Sequence, residues 1–310
     1  MDFLISHTHI NPFYLMIVGF IVGVLGGFFG VGGSFLAGPA LFGVGVPMNF
    51  VVGTDLAHIV GKSIVAARKH RALGNIDLRL GGIMVIGTIA GVETGAQFIQ
   101  ALKRTAHIDV VVGISFIVIL LAISGFMTWE AIRTWQVQRR EGRKAVSPKQ
   151  SAPKRDFSAF GHIAKKIQSL GLPPHISLPT SGIERISLWS IIIVAFVGGL
   201  FSGFLGGGAG YIRMPSMIYL LGIPTHIAVG TDLFEIIISA GYGTFTHALK
   251  GNVDIMIALV MHTGAAIGAQ IGATLTQYFA GTRIRIAFIP LPLIGAAIIL
   301  HGLLAGHPAK

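Results

Sequence analysis

Two basic residues, Lys62 and Arg213, fall inside long apolar runs, and each has acids at helical spacing or close by in the chain. Lys62 follows His58 by one helical turn and Thr54 and Asp55 by two, so these residues share roughly one helix face. Arg213 stands three residues after Gly210, in a glycine-rich stretch upstream of Thr231, Asp232 and Glu235. Glu93 is a further acid within an apolar run. Ionisable side chains in hydrocarbon are expensive and are functional candidates by default. A cation there can bind an anion through charge-assisted hydrogen bonds, and an acid there can carry a proton or hold a cation. Plainer readings stand beside these. Lys62 could snorkel to the membrane surface, and Arg213 could pair structurally with Asp232 or Glu235. Asp55 and Asp232 could cap helices begun a few residues after Pro47 and Pro224, and Glu93 could hydrogen-bond between helices.

The elements that must hold these groups follow from composition. Of 310 residues, 53% are hydrophobic and only 11% are charged, against roughly 25% charged in an ordinary soluble domain. With a mean hydropathy of +0.76, the chain reads as an all-α, polytopic membrane protein. Apolar stretches long enough to cross a bilayer run over about 12–46, 50–67, 80–101, 109–132, 187–222, 226–246, 254–279 and 285–305. No basic region precedes the first, which reads as a retained span and not a cleaved signal peptide. The net charge is +11, but eleven of the 23 basic residues lie between Arg133 and Arg185 with three acids, Glu141, Asp156 and Glu184. That distribution argues against nucleic-acid binding. It describes a cytoplasmic linker near anionic headgroups, under the positive-inside rule. Trp129, Trp135 and Trp189 flank the linker where an interfacial belt would sit. An amphipathic piece over Phe157–Leu170 is either surface-bound or part of a loose connection. With no cysteine, thiol chemistry and disulfides are excluded.

The chain is duplicated. GFFGVGGSFLAGP (Gly27–Pro39) matches GFLGGGAGYIRMP (Gly203–Pro215), VPMNFVVGTDL (Val46–Leu56) matches IPTHIAVGTDL (Ile223–Leu233), and GNID at Gly74–Asp77 matches GNVD at Gly251–Asp254. The expected organisation is a first transmembrane repeat over 1–132, a basic linker over 133–185 and a second repeat over 186–310. His70 pairs with His247, which reads as interfacial in both halves. Charge is not duplicated: Arg213 aligns with Ala37, Lys62 with Ser239, His58 with Glu235 and Glu93 with Gln270. Pro12–Val46 is too long for one span, about 50 Å as helix against a core of about 30 Å. A break at the glycine run is therefore expected. Each half then has either a broken helix within four crossings, giving parallel repeats, or a hairpin within five, giving inverted repeats with both termini outside. In either case the breaks would lie at mid-membrane. The freed amides of Gly30, Gly32 and Gly33, and of Gly207, Gly208 and Gly210, would face an anion, with Thr54, Thr231, Lys62 and Arg213 around it. Asp55, His58, Glu93, Asp232 and Glu235 are the coupling or charge-pair candidates, Glu93 foremost because its counterpart is neutral.

No metal-ligand spacing, nucleophile elbow or Walker A pattern occurs, so no cofactor, resident metal or ATP-driven step is expected. The doubled pattern of glycine run, proline, (V/I)P…VGTDL and GN(I/V)D resembles the TauE/SafE sulfite exporters, also called toluene sulfonate uptake permeases. The resemblance covers both halves and leaves out the loop at 133–185. It implies a carrier in a bacterial inner membrane for sulfite, sulfonates or sulfoacetate-like anions. Coupling to protons is one expectation. An anion channel or facilitated exporter is the alternative, with an integral membrane enzyme behind both, and homo-oligomerisation is left open.

Overall fold

The computed structural model describes residues 1–31, 33–104, 107–142, 161–169 and 172–305. Gly32 and most of the basic linker lie outside the described residues. A short hairpin, β1 (Asp2–Phe3) and β2 (Thr8–His9), precedes α1 (Pro12–Phe29), α2 (Ser34–Gly43), α3 (Met48–Ala72), α4 (Leu78–Leu102) and α5 (Ile108–Gly142). Then follow α6 (Gly161–Gln168), a second hairpin of β3 (His175–Leu178) and β4 (Ile183–Ser187), and α7 (Leu188–Leu205). After a turn of 3-10 helix come α8 (Gly210–Ser216), a π-helical turn (Met217–Leu221), α9 (Thr225–Leu249), α10 (Ile255–Leu275), α11 (Gly281–Phe288) and α12 (Pro290–Leu304). Among the described residues, seven helical segments are long and apolar enough to span a bilayer. α9 matches α3 in length, 25 residues each, and packs along it. The protein is an all-α polytopic membrane protein.

Small residues set the closest contacts. Gly19, Gly23 and Gly27 of α1 lie directly on the backbone of Met261, Ala265 and Ala269 of α10, with Gly264, Gly268 and Gly272 facing back. Gly87, Gly91 and Gly95 of α4 meet α7 in the same manner, answered by Gly199 and Gly203. A Cβ at any of these positions would overlap a carbonyl of the facing helix. In lipid, where apolar side chains gain little by leaving hydrocarbon, such close backbone approach is what holds helices together. The first span of one half thus packs on the fourth helix of the other.

Helix directions follow from named contacts. The residue numbers rise together along α1 and α10, so that pair is parallel. His70, near the end of α3, donates from Nε2 to the Gly27 carbonyl at 3.1 Å, so α3 ends where α1 ends and runs parallel to it. The chain must return between them, and α2 does this: the Tyr14 hydroxyl at the start of α1 donates to Ala40 O, late in α2, at 3.0 Å. α3 and α9 are antiparallel, since Ala66 and Ala67 pack with Val229 and Leu233, while Leu56 and Ile59 pack with Ile236 and Ala240. These directions require the hairpin arrangement with five segments in each half. Gly295 and Gly302 of α12 lie against Phe35 and Phe42 of α2, so the chain ends on the side where it begins.

The helices start and stop where their sequences dictate. Asn11 caps α1, its Oδ1 accepting from Phe13 N–H at 2.9 Å, and Pro12 occupies the first turn, where no amide partner is needed. Gly30, with φ +73°, closes α1 in the left-handed conformation, and a side chain there would strike Val229. Gly206, with φ +83°, closes α7 and lies against Val52. Asp77 and Asp254 cap α4 and α10. Asp55 and Asp232 lie two turns inside α3 and α9, so the capping reading fails for them. The amphipathic α6 does not float free among the described residues: Gln168 Nε2 donates to Leu221 O at 2.8 Å, and Ala164 is buried.

Candidate functional site

The two glycine breaks meet. Gly210, at the start of α8, sits so close to Val31 and to the Asp232 carboxylate that no Cβ fits between them. α8 carries Tyr211 and Arg213 inward, and the Arg213 stem lies over Gly198 of α7. Arg213 Nε donates to Asp232 Oδ1, and Nη2 is 2.6 Å from Glu235 Oε2, all three side chains having no solvent exposure. Ser239 Oγ donates to Glu235 Oε2 at 3.2 Å. One guanidinium between two carboxylates, fully desolvated, is committed to its partners: breaking such a group typically costs about 3–5 kcal/mol.

The second group lies on α3. Asp55, His58 and Lys62 are each at most 1% exposed. His58 Nδ1 is 3.3 Å from Lys62 Nζ and 3.5 Å from Asp55 Oδ1. Both Asp55 oxygens, His58 Nε2 and the Tyr211 hydroxyl are buried without a hydrogen-bond partner. His262 of α10 lays its imidazole on Gly61, beside this group. Among the described residues no carboxylate lies within 4.0 Å of the Lys62 ammonium. Arg213 Nη1, Asp232 Oδ2 and Glu235 Oε1 are likewise buried without a hydrogen-bond partner, so the two clusters differ in charge pairing: one holds a cation between two carboxylates, the other a cation with none within 4.0 Å among the described residues.

Other expected site residues hold the framework. The Thr54 hydroxyl accepts from Asp254 N–H and that of Thr231 from Asp77 N–H, both at 2.9 Å. Each therefore ties the central helix of one half to a turn of the other. Those turns are held in addition by hairpins: Ser6 Oγ donates to Asp254 Oδ2 at 2.7 Å and Ser181 Oγ to Asp77 Oδ2 at 2.6 Å. The Gly30 and Gly206 amides bond within their own helices, at 2.9 Å each. Gly33 packs on Val22 of α1, while Gly207 and Gly208 form the turn after α7, with Gly208 against Ile236. Glu93 is 36% exposed and paired with Lys250 at 3.3 Å, with Gln97, Tyr242 and Thr246 also donating to it; it is not the lone acid its surroundings in sequence suggest. His70 and His247 are buried and serve the carbonyls of Gly27 and Gly203 that the breaks would orphan. Sequence reasoning passed over Tyr211 and His262. The signal was present in both cases: Tyr211 directly follows the glycine run, and His262 is a polar residue within an apolar one.

Among the described residues no group of three His, Cys, Asp or Glu could hold a metal ion. Apolar spans around a buried core of broken helices and ionisable side chains define a polytopic membrane transporter. The sequence profile of the Sulfite exporter TauE/SafE family matches residues 15–299, and the chain belongs to that family. It is 26% identical over 298 residues to the probable membrane transporter protein YunE of Bacillus subtilis, covering 93% of this chain and 97% of that one. It is 23% identical over 294 residues to the probable membrane transporter protein YjnA of the same organism, covering 92% and 96%. The probable membrane transporter protein MJ0441 of Methanocaldococcus jannaschii is 44% identical over 69 residues, 20% of this chain and 26% of that one. No solved structure matches.

Proposed function

We propose that the protein is a secondary carrier of small sulfur-containing oxyanions, sulfite or organosulfonates, in a bacterial cytoplasmic membrane. The substrate's anionic group binds Lys62, between the two glycine-broken hairpins. The observation that carries this reading is the Lys62 ammonium: it is 1% exposed, lacks a carboxylate partner within ion-pair distance among the described residues, and has the donor Tyr211 within its cluster. A desolvated cation gains most from an anion brought to it. Arg213 has two carboxylates already and shapes the site from the other side.

Orientation follows from charge. Arg68, Lys69, Arg71, Lys165, Lys166, Arg185, Arg283 and Arg285 fall at one end of the bundle, while Lys103, Arg104 and Lys250 fall at the other. The first end faces the cytoplasm by the positive-inside rule, which places both termini outside. The test is uptake and efflux of labelled sulfite, thiosulfate and sulfonates in proteoliposomes, with pH and sodium gradients varied separately. Gradient-driven accumulation separates a carrier from a channel. Lys62→Gln should abolish saturable transport while the protein still inserts; retention of parental transport overturns the assignment.

A further inference from the structure

We propose that Asp55, His58 and Lys62 form a proton site linked to the anion site, so that each anion bound at Lys62 is accompanied by one proton. The inference deepens the carrier reading above and rests on it. It starts from a geometric conflict at one atom. His58 Nδ1 lies 3.3 Å from Lys62 Nζ and 3.5 Å from Asp55 Oδ1, and it cannot serve both. Unprotonated, Nδ1 accepts a hydrogen bond from the ammonium, and Asp55 is left with two buried oxygens and no donor. Protonated, Nδ1–H turns to Asp55 and the ammonium is released to whatever else can accept from it.

Charge counting gives the sign. With neutral His58, Asp55 and Lys62 cancel, and the cluster has no net charge to offer an anion. Burying an uncompensated charge is costly, so the anion enters with a proton, which forms an N–H bond at His58 or an O–H bond at Asp55. On release to the far side both leave, and the ammonium returns to Nδ1. Two titratable groups face the site from other elements, Tyr211 from α8 and His262 from α10, of which His262 can itself take up a proton beside Lys62; Asp232 and Glu235 of α9 are held by Arg213. Asp109 of α5 accepts from Met48 N–H at 2.8 Å, and α1, α2 and α7 carry no charged residue.

Linkage is reciprocal: if a proton promotes anion binding, the affinity for the anion must rise as pH falls, by up to tenfold per pH unit for one proton. The probe is methanesulfonate, monovalent and non-titrating, with its Kd measured on the purified full-length protein in lipid nanodiscs between about pH 6 and pH 8. The parent should bind more tightly at the lower pH. Asp55→Asn removes the charge that the proton balances, so it should bind with little pH dependence and, at the upper end of the range, more tightly than the parent. His58→Gln keeps a polar group but loses the titrating nitrogen, and its slope should flatten. A parent Kd indifferent to pH overturns the proposal, as does a parental slope in both variants. Absence of binding by the parent to any sulfonate or sulfite at any pH overturns instead the anion-carrier reading.

Discussion

Replacing Arg213 by Gln should destabilise the protein far more than replacing Lys62. In the parent, Arg213 donates to Asp232 and lies 2.6 Å from Glu235, with all three side chains unexposed. Glutamine is too short and too weak a donor to serve both carboxylates, so two like charges would remain a few ångströms apart away from water. Removing one partner of a buried ion pair typically costs about 3–5 kcal/mol. At about 2 °C per kcal/mol for a chain of this length, the expected fall in Tm is roughly 6–10 °C. The assay is thermal unfolding in detergent, followed by the monodisperse fraction on size exclusion. The triple variant Arg213→Met, Asp232→Asn, Glu235→Gln removes every charge of the group and should recover most of the loss, because replacing a whole buried ion group is often neutral. An Arg213→Gln protein within about 1–2 °C of the parent, far short of that fall, would refute the reasoning. So would a triple variant no better than the single one, since the coupling would then be absent.

Asp77→Ala and Asp254→Ala each remove a helix cap and a hairpin anchor, and each should lower stability by about 1–2 kcal/mol, read by the same unfolding assay. His70→Ala orphans the buried Gly27 carbonyl and should cost about 1–3 kcal/mol, with His70→Gln recovering part of it if Nε2–H donation is the role. Glu93→Gln should change stability by less than about 1 kcal/mol, because its pair with Lys250 is partly solvated, and should leave the pH response of transport intact. A lost response would return Glu93 to the coupling mechanism. Gly23→Val should prevent α1 from seating on Ala265 and reduce the yield of folded protein, while Gly125→Ala, which meets nothing within 4 Å, should be silent.

Much of this protein is legible in its sequence because lipid imposes a severe filter on composition. Apolar runs must be helices there, since no water is present to satisfy the backbone. Glycine clusters must be close contacts or breaks, and ionisable residues must be few and occupied. The doubled GTDL and GN(I/V)D motifs therefore located the turns and the central helices, and Lys62, Arg213 and their acidic neighbours stood out. What the sequence left open were direction and partnership. An apolar helix reads the same in either orientation, and only the return of α2 along α1, seen at Tyr14 and Ala40, fixed five segments per half. Partnership is likewise a matter of distance in space. Glu93 finds Lys250 and Thr54 finds Asp254 only because α4 packs beside α9 and α3 beside α10. Arg213 and Lys62 look alike as buried cations in sequence; the fold gives one of them two carboxylates and leaves the other none within ion-pair reach among the described residues.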